Sequence, residues 1–469
     1  MLDVICAALI FAFLLQLAFL LPIDPDEREH LNAAYLITQG QTPYKDFFEH
    51  HHPLLWYLAT PIVPFFENSA QIWYLLRAFQ AIILFLTSIY IYKLAILSGL
   101  KSWAGYAACL IYFCFDIARH LSLEFRPDTL MICFFISGLY YFYLYLENQK
   151  RATLTLAFAL FLLSFLTFQK APLLFAIPCL YIFIKSFRNK QIRTDTFFAA
   201  LPSACVLLLL IFYLWQQDLW QTFLELNWLL NFKLNKEMTF IYNPLTPNQI
   251  KTFEIYFILA CGCLWFAKSL IIKHVSLLYI IYACFVYSWK LRHLQYMLPL
   301  YPFAALVSGY IISAICRHKV LLLKCLTCLL LLGWFKYVYN EIYTLKKSRQ
   351  NFSAHLIWEQ KALELASPND LVLYAKPGEQ YFGGLRKQPT GYYGFSIGGA
   401  AKIDYNNYHR HPYPNLRQII KDKKPKIVFN GHWNDCSLVE GKCLITQTLD
   451  TEFMREHYID KGIFYLRKD

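Results

Sequence analysis

The feature that most limits what this chain can become is its series of apolar runs. About eleven segments, at 4–21, 72–95, 103–120, 129–146, 153–170, 173–187, 197–215, 253–270, 276–289, 296–315 and 320–338, carry almost no charge. Roughly 18 such residues in a helix cross a hydrocarbon layer of about 30 Å. The shortest runs leave tilted, re-entrant or merged spans open. Only 16% of the 469 residues are charged and 57% are hydrophobic, whereas a soluble domain carries about 25% charged residues. The fold class expected is therefore mainly α: a polytopic helical membrane domain of about eleven transmembrane helices.

The first run, MLDVICAALIFAFLLQLAFLLP, has no basic segment before it and no small-residue cleavage site, so it reads as a retained span. Basic residues in short loops set the orientation. Lys93 and Lys101, Lys150 and Arg151, Lys185 to Arg193, Lys268 and Lys273, and Arg317 and Lys319 fall on one side, which is then the cytoplasm. The first outer loop (22–71), the 216–251 loop and the tail face outward. The net charge of +13 reads as topology signals and contacts to anionic headgroups, not as a nucleic-acid surface.

Past residue 339 the composition turns polar. DLVLYAK, PKIVFN and GIFYLRKD read as short strands and NLRQIIKDK as a helix. Residues 1–339 are thus expected to form the membrane domain, and 340–469 a small α/β extracytoplasmic domain. GYYGFSIGG lacks phosphate-loop spacing. Most of the fourteen cysteines sit in apolar runs as small hydrophobes, but Cys436 and Cys443 lie close together in the polar tail. An exported domain permits disulfides, so these two are expected to be bonded.

The first outer loop concentrates acids and histidines. Asp24, Pro25 and Glu27 have the spacing of a helix N-cap, first-turn proline and capping box, and Gly40 closes the helix. Capping alone accounts for part of the charge. The loop then continues through PYKDFFEHHHP, an amphipathic stretch suited to the membrane surface. A carboxylate held there can act as a general base on an incoming hydroxyl. Arg119, His120, Arg126, Lys170, Lys290, Arg292 and His293 fall at the outward ends of spans, where topology does not ask for them. Phosphate is their natural partner, bound bidentately by Arg and as a point charge by Lys. Ordinary pairing with Asp116, Glu124 or Asp128 is the alternative for any one of them.

DPDEREH, the 40–51 run GQTPYKDFFEHH, EFRPD and HLQYMLPLYPF together resemble the integral-membrane GT-C glycosyltransferases, most closely the branch of protein O-mannosyltransferases and aminoarabinose transferases. The resemblance covers the membrane part; the tail carries no motif of that family. It implies transfer of a sugar from a polyprenyl-phosphate donor to a glycan, lipid or protein acceptor outside a cytoplasmic (inner) membrane, in a bacterium onto an envelope glycan such as lipopolysaccharide. It implies that an acid of the Asp26–Glu27 pair is catalytic, with Asp26 favoured and Asp24 its rival. It also implies that Asp128 is a second essential or metal-associated acid. Arg126, Lys170, Arg292 and His293 are the candidates for the donor phosphate. The acids and these cations are expected to converge on one pocket.

Glu49, His50 and His51 are candidates for the acceptor or for a metal. A divalent cation (Mg²⁺ or Mn²⁺) bridging an acid and the phosphate is one reading; interfacial histidines bonded to headgroups or acceptor are the other, because adjacent residues rarely all converge on one ion. Two other function classes compete. A flippase for a lipid-linked saccharide would need no base and would place more charge inside the spans. A non-catalytic scaffold leaves the acid loop without a role.

Overall fold

The structure is a computed structural model that describes residues 2–237, 245–290, 292–316, 320–348, 352–373, 384–389, 416–429, 451–461 and 464–468. The predicted Cys436–Cys443 bridge and the 391–399 turn lie outside these residues. In chain order the helices are α1 (Leu2–Ala18), α2 (Pro25–Thr38), α3 (Leu54–Ala59), α4 (Ile72–Leu97), α5 (Ser102–Cys114), α6 (Asp116–Leu123), α7 (Pro127–Asn148), α8 (Arg151–Thr167), α9 (Ala171–Arg188), α10 (Lys190–Gln216), α11 (Trp220–Leu224), α12 (Leu230–Glu237), α13 (Pro247–Phe266), α14 (Leu270–Ser288), α15 (Leu300–Ile315), α16 (Val320–Lys347), α17 (Phe352–Leu365), α18 (Leu416–Lys423) and α19 (Thr451–His457). The strands are β1 (Val372–Leu373), β2 (Ile427–Phe429), β3 (Tyr458–Asp460) and β4 (Phe464–Arg467).

Each apolar run of the sequence is helical. Eight helices among the described residues are long and apolar enough to cross a membrane. α1 and α8 are shorter, and α5 with α6 makes a pair bent by 72°. The sequence suggests one straight span there. The break falls at Phe115, whose backbone is extended. The carbonyl of Phe113 is not left bare: it accepts from Arg119 at 2.7 Å and from the Trp334 indole at 3.2 Å. A break at membrane depth is tolerated only where other groups re-satisfy the backbone in this way.

The chain forms two compact units. The first comprises Met1–Ala18, Ala78–Gln216 and Asn235–Thr344. Lipid gives helices no hydrophobic reason to associate, so close packing of small residues does the work. A side chain added at Gly309 of α15 would meet the Ala104 carbonyl and the Ala108 Cβ of α5, both at 3.0 Å. Ser164 of α8 donates to the Met131 carbonyl of α7 at 2.9 Å.

The second unit comprises Phe19–Arg77, Gln217–Leu234 and Leu345–Asp469. Its sheet has the order β1-β2-β4-β3, with β1 parallel to β2 and the other two pairs antiparallel. Ala362 and Ala366 pack on Val372, Ile427 and Phe464 to form its core. The tail is bonded to the outer loop within this unit. Arg386, fully buried, donates to the Ala366 and Leu363 carbonyls of the tail and to the Glu67 carbonyl and Asn68 side chain of the loop.

His355 of α17 accepts at Nδ1 from the Ile23 N–H at 3.1 Å, which requires an unprotonated nitrogen. Burial, and then the charges of Arg28 and Arg77, lower its pKa from 6.5 to about 3. The unfolded chain therefore takes up this proton near pH 6.5 while the folded unit refuses it down to about pH 3. The contribution is complete above pH 6.5 and is lost as pH falls through that window, by about 1.4 kcal/mol over the first pH unit. Hydrogen exchange of α17 is expected to quicken on acidification to about pH 5.5, and His355→Asn, which keeps an acceptor, to flatten the dependence.

Candidate active site

The start of α2 folds as its local sequence dictates. The Asp24 side chain accepts the Asp26 N–H at 2.9 Å, and the Glu27 side chain accepts the Asp24 N–H at 2.9 Å. Glu27 completes the capping box, and Pro25 occupies the first turn. Glu27 is fully buried and is also ion-paired with Arg77 at the start of α4. Its neighbour Arg28, fully buried as well, pairs with Glu359 of α17 at 2.6 Å and donates to the Ile23 carbonyl. Breaking one side of such a pair strands a charge and costs about 3–5 kcal/mol. Glu359→Gln is expected to lose at least about 3 kcal/mol, read as a drop in thermal stability of the purified protein.

Asp26 and Glu29, one helical turn apart and only partly buried, share a face of α2. Glu49 comes to this face from the following loop and is 2% exposed. Burial, then the carboxylate of Glu29, with Asp26 adding to it, push the Glu49 carboxyl well above the usual carboxylate range. His51 Nδ1 lies 3.5 Å from Glu49 Oε2, and His50 Nδ1 lies 4.0 Å from Glu29 Oε1. One ligand atom from each of Glu29, Glu49, His50 and His51 falls within 4.8 Å of all the others. The expectation that adjacent residues do not converge on one point thus fails for His50 and His51 but holds for His52. That ring is 1% exposed and packs against Phe223 at 5.1 Å and Trp228 at 6.2 Å. His30 accepts the Trp56 indole N–H at 3.1 Å and meets the His51 ring edge-on at 5.1 Å. Glu29 was missed in the sequence, although its three-residue offset from Asp26 was a readable signal.

In the first unit, Arg126 occupies the N-cap position of α7. Its guanidinium lies 3.3 Å from Glu124 and 3.9 Å from Asp128, and its carbonyl accepts from Gln80 at 3.1 Å. Asp128, in the first turn of α7, is 2% exposed. Lys170 precedes α9. Its ammonium is covered, donates no hydrogen bond, and sits 3.4 Å from the centre of the Tyr296 ring and 4.3 Å from that of Phe168. The charges of Asp128 and Arg126 act on it. The structure thus gathers Arg126, Asp128 and Lys170. His293 lies on the other partner of this group, with its ring 5.5 Å from Tyr296. Arg292 donates to the Tyr287 and Trp289 carbonyls at 2.7 and 3.2 Å, closing the end of α14. Lys290 donates to the Lys236 carbonyl. Arg119 and His120 are both paired with Glu341 of α16, and Arg119 also with Asp116. For these two the ion-pair reading holds, with a partner the sequence did not suggest.

The family described as dolichyl-phosphate-mannose-protein mannosyltransferase matches residues 50–216, a stretch that holds His50, His51, Arg126, Asp128 and Lys170. No curated protein matches the chain in sequence. Among solved structures, the chain is similar to ArnT from Cupriavidus metallidurans bound to undecaprenyl phosphate, with TM-score 0.60 and 10% identity over 91% of this chain and 92% of that one. The Archaeoglobus fulgidus oligosaccharyltransferase in its apo form gives TM-score 0.49 and 10% identity over 91% and 69%. The archaeal oligosaccharyltransferase AglB from the same organism, in complex with an inhibitory peptide and a dolichol-phosphate, gives 0.40 and 11% over 70% and 52%. At 10% identity the likeness to ArnT is one of fold, and it runs through nearly the whole chain.

Proposed function

Proceeding from a chain that carries the fold of the GT-C membrane glycosyltransferases, we propose that it moves a sugar from a polyprenyl-phosphate donor onto the hydroxyl of a glycan, lipid or protein acceptor at the outer face of a cytoplasmic membrane. The observation that carries this reading is the Lys170 ammonium. It is covered, makes no hydrogen bond, and rests on Tyr296 beside Arg126 and Asp128. A desolvated cation with donors to spare is an anion site. The likeness to a structure solved with undecaprenyl phosphate, and to a family named for a dolichyl-phosphate donor, supports phosphate as the anion.

In the proposed reaction Asp26 takes the proton of the acceptor hydroxyl. The oxygen forms a bond to the anomeric carbon, and the bond from that carbon to the phosphate oxygen breaks. The electron pair leaves with polyprenyl phosphate, and the centre inverts. Arg126 and Lys170 stabilise the departing charge, assisted by His293, while Asp128 orients both cations. Asp26 is favoured over its neighbours because the Asp24 and Glu27 side chains serve the helix cap and Glu27 also pairs with Arg77. Arg292 has a weaker claim, being engaged by two backbone carbonyls.

The test is purified full-length protein in liposomes with labelled polyprenyl-phosphate sugars and candidate acceptors, envelope glycans among them. Appearance of labelled acceptor together with free polyprenyl phosphate supports transfer. Movement of the donor between leaflets with its glycosidic bond intact would replace the reading with a flippase.

A further inference from the structure

We propose that a cavity at the bend between α5 and α6 binds the ammonium group of an ethanolamine phospholipid. The site does not depend on which reaction the chain performs. The cavity has a volume of about 220 Å³ and lies between the start of α6, the first turns of α13 and Tyr301 of α15, all within the first unit. A single water needs only ~10–15 Å³ of such space, so the cavity takes a group of several atoms. Phe115, whose extended backbone bends the helix pair by 72°, forms one wall. Asn248 and Gln249, on another wall, belong to the first turn of α13, which is long and apolar enough to cross a membrane. The cavity therefore sits at the end of a span, at headgroup depth.

Among the described residues, Asp116 is the one charged side chain lining the cavity. Its Oδ1 accepts from Arg119 at 3.3 Å and from the Tyr337 hydroxyl at 3.2 Å. Both bonds fall on Oδ1, which leaves Oδ2 to a ligand. Arg119 compensates this charge only in part, because it approaches Glu341 more closely, at 2.9 Å. The Asp116 side chain is 53% exposed against 14% for Glu341. A hard ion such as Ca²⁺ would need about six to eight oxygen ligands, but the surfaces beside Asp116 are rings. Phe115 and Phe253 flank Tyr301 at centroid distances of 4.7 and 5.6 Å. Aromatic faces attract organic ammonium groups through their quadrupoles. The same unit already seats an ammonium in this way, with Lys170 over Tyr296 and Phe168.

The remaining polar atoms suit the phosphate that a phospholipid headgroup carries beside its ammonium. Gln249 uses Oε1 to accept the Thr246 N–H at 2.9 Å, so its Nε2 is the atom with protons to give. Thr252 donates to the Asn248 carbonyl at 2.8 Å, and its Oγ1 remains an acceptor for the ammonium. One helical turn beyond Thr252, on a neighbouring stripe, Ile255 is 56% exposed. An acyl chain leaving the cavity along α13 meets that apolar face, which favours a lipid over a water-soluble amine.

The experiment is native mass spectrometry of the full chain, delipidated in detergent and titrated with four lipids of matched acyl chains. They are phosphatidylethanolamine, its N-acetyl derivative, phosphatidylglycerol and a glucosyl diacylglycerol. One phosphatidylethanolamine per chain is expected to bind at least about 10-fold more tightly than any of the others, the scale of one hydrogen bond to a charged group. N-acetylation removes the cation and keeps the phosphate and the chains. Asp116→Asn is expected to bring phosphatidylethanolamine down to the affinity of its N-acetyl derivative. Asn keeps an oxygen for Arg119 and Tyr337, so the bend is retained, and circular dichroism checks the fold. Phe115→Leu is expected to weaken binding by about 2–30-fold, the range of one cation–π contact. Equal binding of the N-acetyl lipid or of phosphatidylglycerol, or unchanged binding by folded Asp116→Asn, overturns the site. Preference for the glucosyl lipid makes the cavity a saccharide site instead, and displacement of the phospholipid by equimolar glycerophosphoethanolamine assigns it to a soluble amine; either result overturns the proposal. None of these results bears on glycosyl transfer, which the liposome assay tests separately.

Discussion

Replacing Asp26 with Asn is expected to lower glycosyl transfer by about 10²–10⁴-fold, the range a positioned general base contributes. Asn keeps the volume and the Asp24-to-Asp26 backbone bond of the cap, so the helix is retained and the loss reports the proton acceptor. The measurement is the single-turnover rate at saturating donor and acceptor, with folding followed by thermal denaturation. Full activity in a folded Asp26→Asn removes Asp26 from the role and transfers attention to Asp24.

The second large effect concerns the cations. Lys170→Met and Arg126→Gln are each expected to reduce kcat by about 10²–10³-fold, the scale for removing one preorganised donor from developing charge. Negative charge on the phosphate grows as the sugar bond breaks, so the loss should appear in kcat and kcat/KM together. A rise in KM at unchanged kcat would instead make these residues ground-state anchors and defeat the leaving-group role. Arg126 lies 3.9 Å from Asp128, and the charges of both act on Lys170, so the double variant should lose less than the product of the two single losses.

Local patterns are readable in the sequence alone. The capping box of α2 needs only four consecutive residues, and the membrane helices only an unbroken apolar run. All three anticipated strands are present, as β1, β2 and β4, each inside its segment, whereas β3, which follows directly on α19, was not anticipated. What escaped were pairings across the chain. Glu341 is 222 positions from Arg119, and nothing local marks it as the partner. Arg77 is 50 positions from Glu27, yet a clue was present: it stands at the head of an apolar helix, the same out-of-place basic residue that drew attention to Arg126. Glu29 was hidden by its neighbours, since four acids in six residues read as helix-start chemistry until the Glu49–His50–His51 loop is seen folded against one face.

The two ion pairs of Glu27 and Arg28 carry a consequence for the tail. These residues follow Asp26 directly, and their partners lie 50 and 331 positions away. Between them they fix the azimuth of α2, and with it the direction in which Asp26 is presented. A chain truncated before Glu359 would keep every membrane helix and yet let that azimuth wander. On the role proposed for Asp26, the polar tail is a jig for the chemistry, and anything that docks on α17 would gain leverage over the rate without approaching the substrate.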